Sequence, residues 1–336
     1  MTDARTPEVA YIGCYTSTAD GHGLGIQPLR TGDGTALDPT SAVDPSFLIA
    51  HPRLPVLYAV SERESSALTA YQIRDDGTLQ LLNALDTGGN AGCHLAFDAE
   101  RDLLVVAHYT DGSVAICSVA EDGSLGQVTD FHRFTGQGPD PQRQDGSHAH
   151  MAIRDGADWL IADLGADRIH RLSLDDDGRI GRVREIVTPP GVGPRHLIID
   201  GDALVLACEL SAELWLARRD GDGWEGAALV PSTAIDTGEA VYPSGIAWAD
   251  DRVVVANRGA DTIATFRLDR DQNTLRLVDE RPTGGRWPRD LTWSDGRLWV
   301  ANQDSDSVTV FEPRGDGWRL VETFEVSSPA CVRMVD

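Results

Sequence analysis

Two kinds of chemically useful side chain crowd into a few short strings of this sequence. Of nine histidines, five are His94, His108, His148, His150 and His196. Three arginines stand in related strings: Arg195 in PRHL, Arg258 in ANRG and Arg289 in PRDL. Carboxylates and amides fall at comparable points, namely Glu62, Asp163, Glu209, Asn257, Asn302 and Gln303. Imidazole exchanges protons near neutral pH, and a guanidinium grips planar or phosphate anions with paired N–H groups. The chain carries a formal net charge of −24, and all 29 of its basic residues are arginine. Cations gathered against that background point to a site for a small anion. The same charge argues against nucleic acid and anionic membranes as partners. An Asp-rich, lysine-free shell also suits a salt-adapted or GC-rich source.

The elements that must position these residues repeat along the chain. Units begin at Pro45 (PSFLIAHP), Cys93 (CHLAFDAE), His148 (HAHMAIRD), Pro194 (PRHLIIDG), Tyr242 (YPSGIAWA) and Pro288 (PRDLTWSD), with a last fragment at Pro329 (PACVRMVD). Pro45 to Cys93 is 48 residues, Pro194 to Pro288 is 94 in two units, and Pro288 to Pro329 is 41. A second strand follows in each unit (LYAVSE, LLVVAHY, WLIADLG, LVLACE, VVVANRG, LWVANQD), then a third and a fourth. Four short strands per unit of about 40–50 residues read as propeller blades. Asp-Gly pairs in DDGTL, EDGSL and DDGRI, and GDGW strings, supply hairpin turns. The N-terminal VAYIGCYT matches the second-strand template, followed by LGIQPL and TALD, while PACVRMVD supplies only a first strand. The termini therefore share one blade and close the ring without a free edge. The expected fold is all-β: a seven-bladed β-propeller forming a single domain over residues 1–336, as a monomer or weak oligomer.

Up-and-down topology puts the start of each first strand and the end of each second strand on one face near the axis. His94, His148, His150, Arg195, His196 and Arg289 occupy first-strand starts. Glu62, His108, Tyr109, Asp163, Glu209, Asn257, Arg258, Asn302 and Gln303 occupy second-strand ends. Competing readings attach to several of them. Asp163 and Asn257 can tie turns through backbone hydrogen bonds. His148 and His150 share a strand face, and one of them can be structural. The arginines can pair with Glu62, Asp163 and Glu209 in an ion network, although buried cationic clusters are costly without a purpose.

Other chemistries lack their signatures. No GxSxG elbow, P-loop or dinucleotide fingerprint occurs, so no cofactor is expected. The five cysteines, Cys14, Cys93, Cys117, Cys208 and Cys331, form no close pair and suit reduced thiols. No apolar leader or membrane-length segment is found, and the expected location is cytoplasmic.

The strings YIGCYTS, DPSFLIAHP, SHAHMAI, GVGPRHLIID, CELSAELW, VVVANRGADTI, TGGRWPRDL and VANQDSDSV resemble the β-propeller lactonase family. That family includes bacterial 6-phosphogluconolactonases and is similar to the fungal carboxy-muconate lactonising enzymes. The resemblance spans nearly the whole chain. It implies hydrolysis of an anionic sugar lactone, 6-phosphogluconolactone in the pentose phosphate pathway; no metal is expected, because the arginines at the mouth would repel a cation. It also implies an active centre at His148 and His150, Arg195 and His196, Glu209, and Asn257 and Arg258. Two positions depart from the family: Ser61 and His108 stand where it usually shows Asn.

In such a site Glu209 or His150 would deprotonate water, and Arg195 and Arg258 would hold the carbonyl or oxyanion. Arg289 and His196 would bind the distal phosphate or carboxylate, with His148, His94, Asp163, Asn257 and Gln303 completing the substrate contacts. Three alternatives use the same mouth. One is a lactonising or isomerising enzyme on a carboxylated lactone. Another is a metal-dependent lactonase with Glu62, Asp163, Asn257 and Glu209 as oxygen ligands. The third is a non-catalytic binding scaffold.

Overall fold

The structure is a computed structural model describing residues 9–335. Six four-stranded antiparallel sheets and one three-stranded sheet are arranged as seven blades. The complete blades span residues 45–86, 92–133, 149–187, 194–231, 242–282 and 288–325. The seventh combines Pro329–Val335 from the C-terminal end with Val9–Cys14 and Ile26–Arg30. Val9–Cys14 pairs antiparallel with both of the others, so the ring closes as the repeat predicts. The expected fourth strand at TALD is reduced to isolated bridges, Leu29 with Ala36 and Ile26 with Thr40.

Burial follows position within the blade. Second strands such as Leu103–His108 and Ala203–Cys208 are buried at every residue. They are covered on both faces by neighbouring blades and read as continuous apolar runs. Fourth strands such as Leu79–Asp86 face water and are largely exposed. The blades are stitched at repeat-related points: the Tyr11 hydroxyl donates to the Gly77 carbonyl, and the Tyr58 hydroxyl to Gly123. Gly77 takes a φ of 86° in its hairpin turn, a conformation that costs glycine little. In GDGW the left-handed residue is Gly221, which precedes the aspartate rather than following it.

Each first strand carries a register shift near its start. The shifts lie between Pro45 and Phe47, Gly92 and His94, Ala149 and Met151, Pro194 and His196, Pro243 and Ile246, and Pro288 and Asp290. The seventh blade has its own between Gly13 and Cys14, opposite Cys331 and Pro329. A bulge leaves one residue out of the ladder and re-aims its side chain. Here those residues include Ser46, Cys93, His150, Arg195, Arg289 and Ala330.

Candidate active site

All six of those bulged residues line one cavity on the channel axis, together with Glu62 and, deeper, Phe47, His196 and Asp290. A second ring lies above them. The residue at or just past each second-strand end is, in blade order from the seventh, Tyr15, Glu62, Tyr109, Leu164, Glu209, Arg258 and Gln303. Thus two consecutive layers of the channel carry the polar groups, one built by bulges and one by strand ends.

Glu209 is the hub. Its Oε2 accepts from Arg258 Nη2 at 2.7 Å and lies 3.0 Å from Arg195 Nε, out of hydrogen-bond alignment. Its Oε1 accepts from Arg143 Nη2 at 2.6 Å. Burial alone would raise the Glu209 carboxyl, but the Arg258, Arg195 and Arg143 guanidiniums hold it well below the usual carboxylate range. Across the channel, Glu62 accepts from the Tyr15 hydroxyl at 2.6 Å and from Arg289 Nη2 at 3.4 Å. The Arg289 guanidinium lies over the Tyr15 ring, and its Nη1 reaches Gln303 Oε1 at 3.4 Å.

Among the described residues lining the cavity, two buried side chains carry atoms without a hydrogen-bond partner. Arg195 Nη1 has none, and neither does His150 Nδ1. Burial and then Arg258 bring the Arg195 guanidinium down to about 10. Burial and then Arg195 hold the His150 imidazole well below its ordinary value, so it is neutral at physiological pH. His196 meets the His150 ring edge-on at 5.2 Å between centroids and the His94 ring at 5.6 Å. It is likewise held well below its ordinary value by burial and then by Arg195. One layer deeper, burial pushes the Asp290 carboxyl up to about 6, against the opposing pull of Arg333.

The structure therefore brings Glu209, His150, Arg195, Arg258, Arg289, His196 and Gln303 to one mouth. It sorts the remaining candidates differently. Asp163 is fully buried, and its carboxylate is consumed by the Ser147 hydroxyl, His170 Nε2 and the backbone N–H groups of His148, Gly165 and Ala166. These bonds tie the turn that follows the strand and occupy both carboxylate oxygens. Asn257 is also fully buried and donates to the Ser232 carbonyl. Both precede the channel-facing residue, and alternation along a strand turns them between blades. His148 donates from Nδ1 to the Tyr109 carbonyl and stacks on the Tyr109 ring at 4.7 Å, so it braces the wall. His94 lies toward the opposite mouth, against Phe47. The proposed oxygen ligands do not fit a cation: Glu209 is enclosed by three arginines, and Glu62 and Asp163 are engaged as described. Among the described residues no cluster of His, Cys, Asp and Glu forms a metal site. All five cysteines are buried and free.

Two participants escaped the sequence reading. Tyr15 follows the second strand of the shared blade, where Glu62 and Glu209 follow theirs, and applying the strand-end rule to that blade finds it. Arg143 comes from the connection between the second and third blades, where no repeat gives a guide; its only signal is that it is the one basic residue of GQGPDPQRQDG.

Comparisons with known proteins agree with this architecture. The profile of the lactonase family, seven-bladed beta-propeller, matches residues 9–334. A 6-phosphogluconolactonase of Bacillus subtilis (strain 168) is 29% identical over 302 residues, covering 84% of each chain. One from Formosa agariphila is 29% identical over 299 residues, 83% of this chain and 84% of its own. The solved periplasmic gluconolactonase of Pseudomonas aeruginosa superposes with a TM-score of 0.85 at 26% identity, over 98% of this chain and 99% of its own. The chain belongs to the seven-bladed β-propeller lactonase family and is a lactonase.

Proposed function

We propose that this lactonase hydrolyses an anionic sugar lactone, with 6-phosphoglucono-δ-lactone as substrate and 6-phosphogluconate as product, in the pentose phosphate pathway. The observation that carries the reading is the charge of the mouth. Four guanidiniums (Arg143, Arg195, Arg258 and Arg289) face two carboxylates (Glu62 and Glu209), an excess of two positive charges. In the next layer Asp290 and Arg333 oppose each other. Such an excess within a chain of net charge −24 suits a phosphate dianion. Relatives that bear the name 6-phosphogluconolactonase support the same substrate.

The geometry suggests roles. His150 Nδ1 is neutral and unpartnered, and takes a proton as a water oxygen attacks the lactone carbonyl carbon. Negative charge moves to the carbonyl oxygen, where Arg195 Nη1 offers an unused donor. Collapse breaks the ring C–O bond, and the departing alkoxide recovers the proton from His150. Glu209 does not serve as base in this scheme, because both its oxygens already accept from guanidiniums, Oε1 from Arg143 and Oε2 from Arg258, whereas His150 Nδ1 has no partner. It positions Arg195 and Arg258, and Arg289 adds a second cation to the chamber wall.

The test is hydrolysis of freshly prepared 6-phosphoglucono-δ-lactone by purified protein, set against the spontaneous rate, with and without chelator. Acceleration that persists in chelator is expected. A rate indistinguishable from the spontaneous one would remove this substrate.

A further inference from the structure

One cation at the mouth differs from the others. The Arg195 and Arg258 side chains are 3% and 7% exposed. Arg258 is fixed further by the Tyr242 and Pro243 carbonyls and lies near the Tyr242 and Trp287 rings. The Arg143 side chain is 37% exposed. Its hydrogen bonds all run from Nη2, to Glu209 and, at 3.3 Å, to the Tyr109 hydroxyl. The backbone beneath it is pinned. Neighbouring Gln144 is fully buried and donates from Nε2 to the Leu164 carbonyl and Asp167, and Asp140 accepts from the Arg143 N–H.

The same side chain lines an outward-opening groove of about 700 Å³ between the 210–213 and 231–242 segments. Among the described residues Arg143 is the single basic one lining it, against Asp140, Glu213, Asp236 and Glu239. Any anion that lies in this groove meets a counter-charge at one point only.

We propose that Arg143 is the specificity-determining residue for the substrate's distal anion: it rests on Glu209 and turns to clasp a phosphate held in the groove. This rests on the reading of the substrate as an anionic sugar lactone, and it assigns the distal anion to Arg143 instead of Arg289. Moving Arg143 is cheap, whereas moving Arg195 or Arg258 would strand a buried guanidinium or Glu209 itself. Once Arg143 turns from Glu209 its Nη2 is released, and with Nε or Nη1 it makes a paired contact with phosphate oxygens. When Arg143 leaves, Glu209 keeps Arg195 and Arg258 on Oε2, and its Oε1 is released to accept from a sugar hydroxyl. The four surrounding acids repel any charge farther out. The favoured class is therefore a single-sugar lactone with one distal anion, and acidic oligosaccharides are disfavoured.

The experiment compares 6-phosphoglucono-δ-lactone with glucono-δ-lactone as substrates for wild type, Arg143→Gln and Arg143→Lys. Calorimetric titration with the products 6-phosphogluconate and gluconate runs alongside. Loss of a charge-assisted contact should cut the preference for the phosphorylated lactone by about 10- to 100-fold in Arg143→Gln, mainly through KM, with partial recovery in Arg143→Lys. The affinity ratio of the two products should fall in parallel. A preference that survives the substitution overturns the assignment. The two readings fail separately. Arg143-dependent binding of 6-phosphogluconate by a protein inert toward both lactones sustains the role of Arg143 while removing the proposed reaction. Turnover without any effect of Arg143 on preference does the reverse, and failure of wild type to bind 6-phosphogluconate overturns the Arg143 assignment.

Discussion

At the scale of single residues, the site depends on which groups are left unsatisfied. Glu209 is the most conspicuous carboxylate in the sequence pattern, yet its charge is spent on three arginines, while the less conspicuous Nδ1 of His150 is free. Replacing His150 with Gln should lower kcat by about 10²-fold or more, and Arg195→Gln by about 10²- to 10³-fold, read as net hydrolysis above the spontaneous rate. A change under about threefold in both would remove these roles. The pH dependence gives an independent check, because kcat/KM reports the free enzyme. A free imidazole loses its base form below about pH 6.5. The His150 pKa is lowered first by burial and then by Arg195, so the neutral base persists as pH falls through that value. With glucono-δ-lactone, which has no phosphate to titrate, and in Asp290→Asn, which removes the neighbouring carboxyl pushed up to about 6, kcat/KM should stay level from about pH 7.5 to about pH 5.5. A tenfold decline per unit beginning near pH 6.5 would contradict a buried neutral base.

At the scale of elements, the same channel position is visited seven times, and the visits differ only in side chain. The sequence exposed this well, because strand alternation, turn residues and a repeat of about 40–50 residues are local properties. It located the mouth through strand ends. It did not resolve which of two adjacent strand-end residues faces the axis, since a one-residue change reverses direction. Hence strand-end position alone sets Asp163 and Asn257 among the substrate contacts, although Leu164 and Arg258 are the residues of those strand ends that join the ring. The first-strand bulges were also illegible, because a bulge is a property of pairing between strands. Arg143 lies in an irregular connection, beyond the reach of any periodic argument. The corrected position of Asp163 makes a prediction. Asp163→Ala leaves His170 and several buried N–H groups without an acceptor, and should destabilise the fold by about 3–5 kcal/mol in denaturant unfolding. KM should remain within about twofold of wild type, because KM registers contacts to the substrate. A large rise in KM with unchanged stability would return Asp163 to the binding site.

At the scale of the whole molecule, one attractive patch is maintained inside a strongly repulsive shell. Asp and Glu number 53 against 29 arginines, so at least 24 acids have no basic partner of their own. Surface pairs exist, such as Arg270 with Asp200 and Asp202, and Arg319 with Glu312. Exposed pairs of this kind contribute about 0–1 kcal/mol each and weaken in salt. The unpartnered excess has the opposite salt dependence. At about 0.01 M ionic strength the screening length is about 30 Å, long enough for charges on different blades to repel; at about 0.15 M it is about 8 Å. Compaction brings these charges together, so screening relieves the folded state more than the unfolded chain. The melting temperature should therefore rise as NaCl increases from about 0.01 M to about 0.5 M, with most of the gain below about 0.15 M, where the screening length changes most. The buried mouth pairs are shielded from this change, since Arg195, Arg258 and Glu209 lie out of contact with bulk ions. A falling melting temperature across the same range would mean that surface ion pairs outweigh the net repulsion, and that the acidic shell is balanced locally despite its total charge.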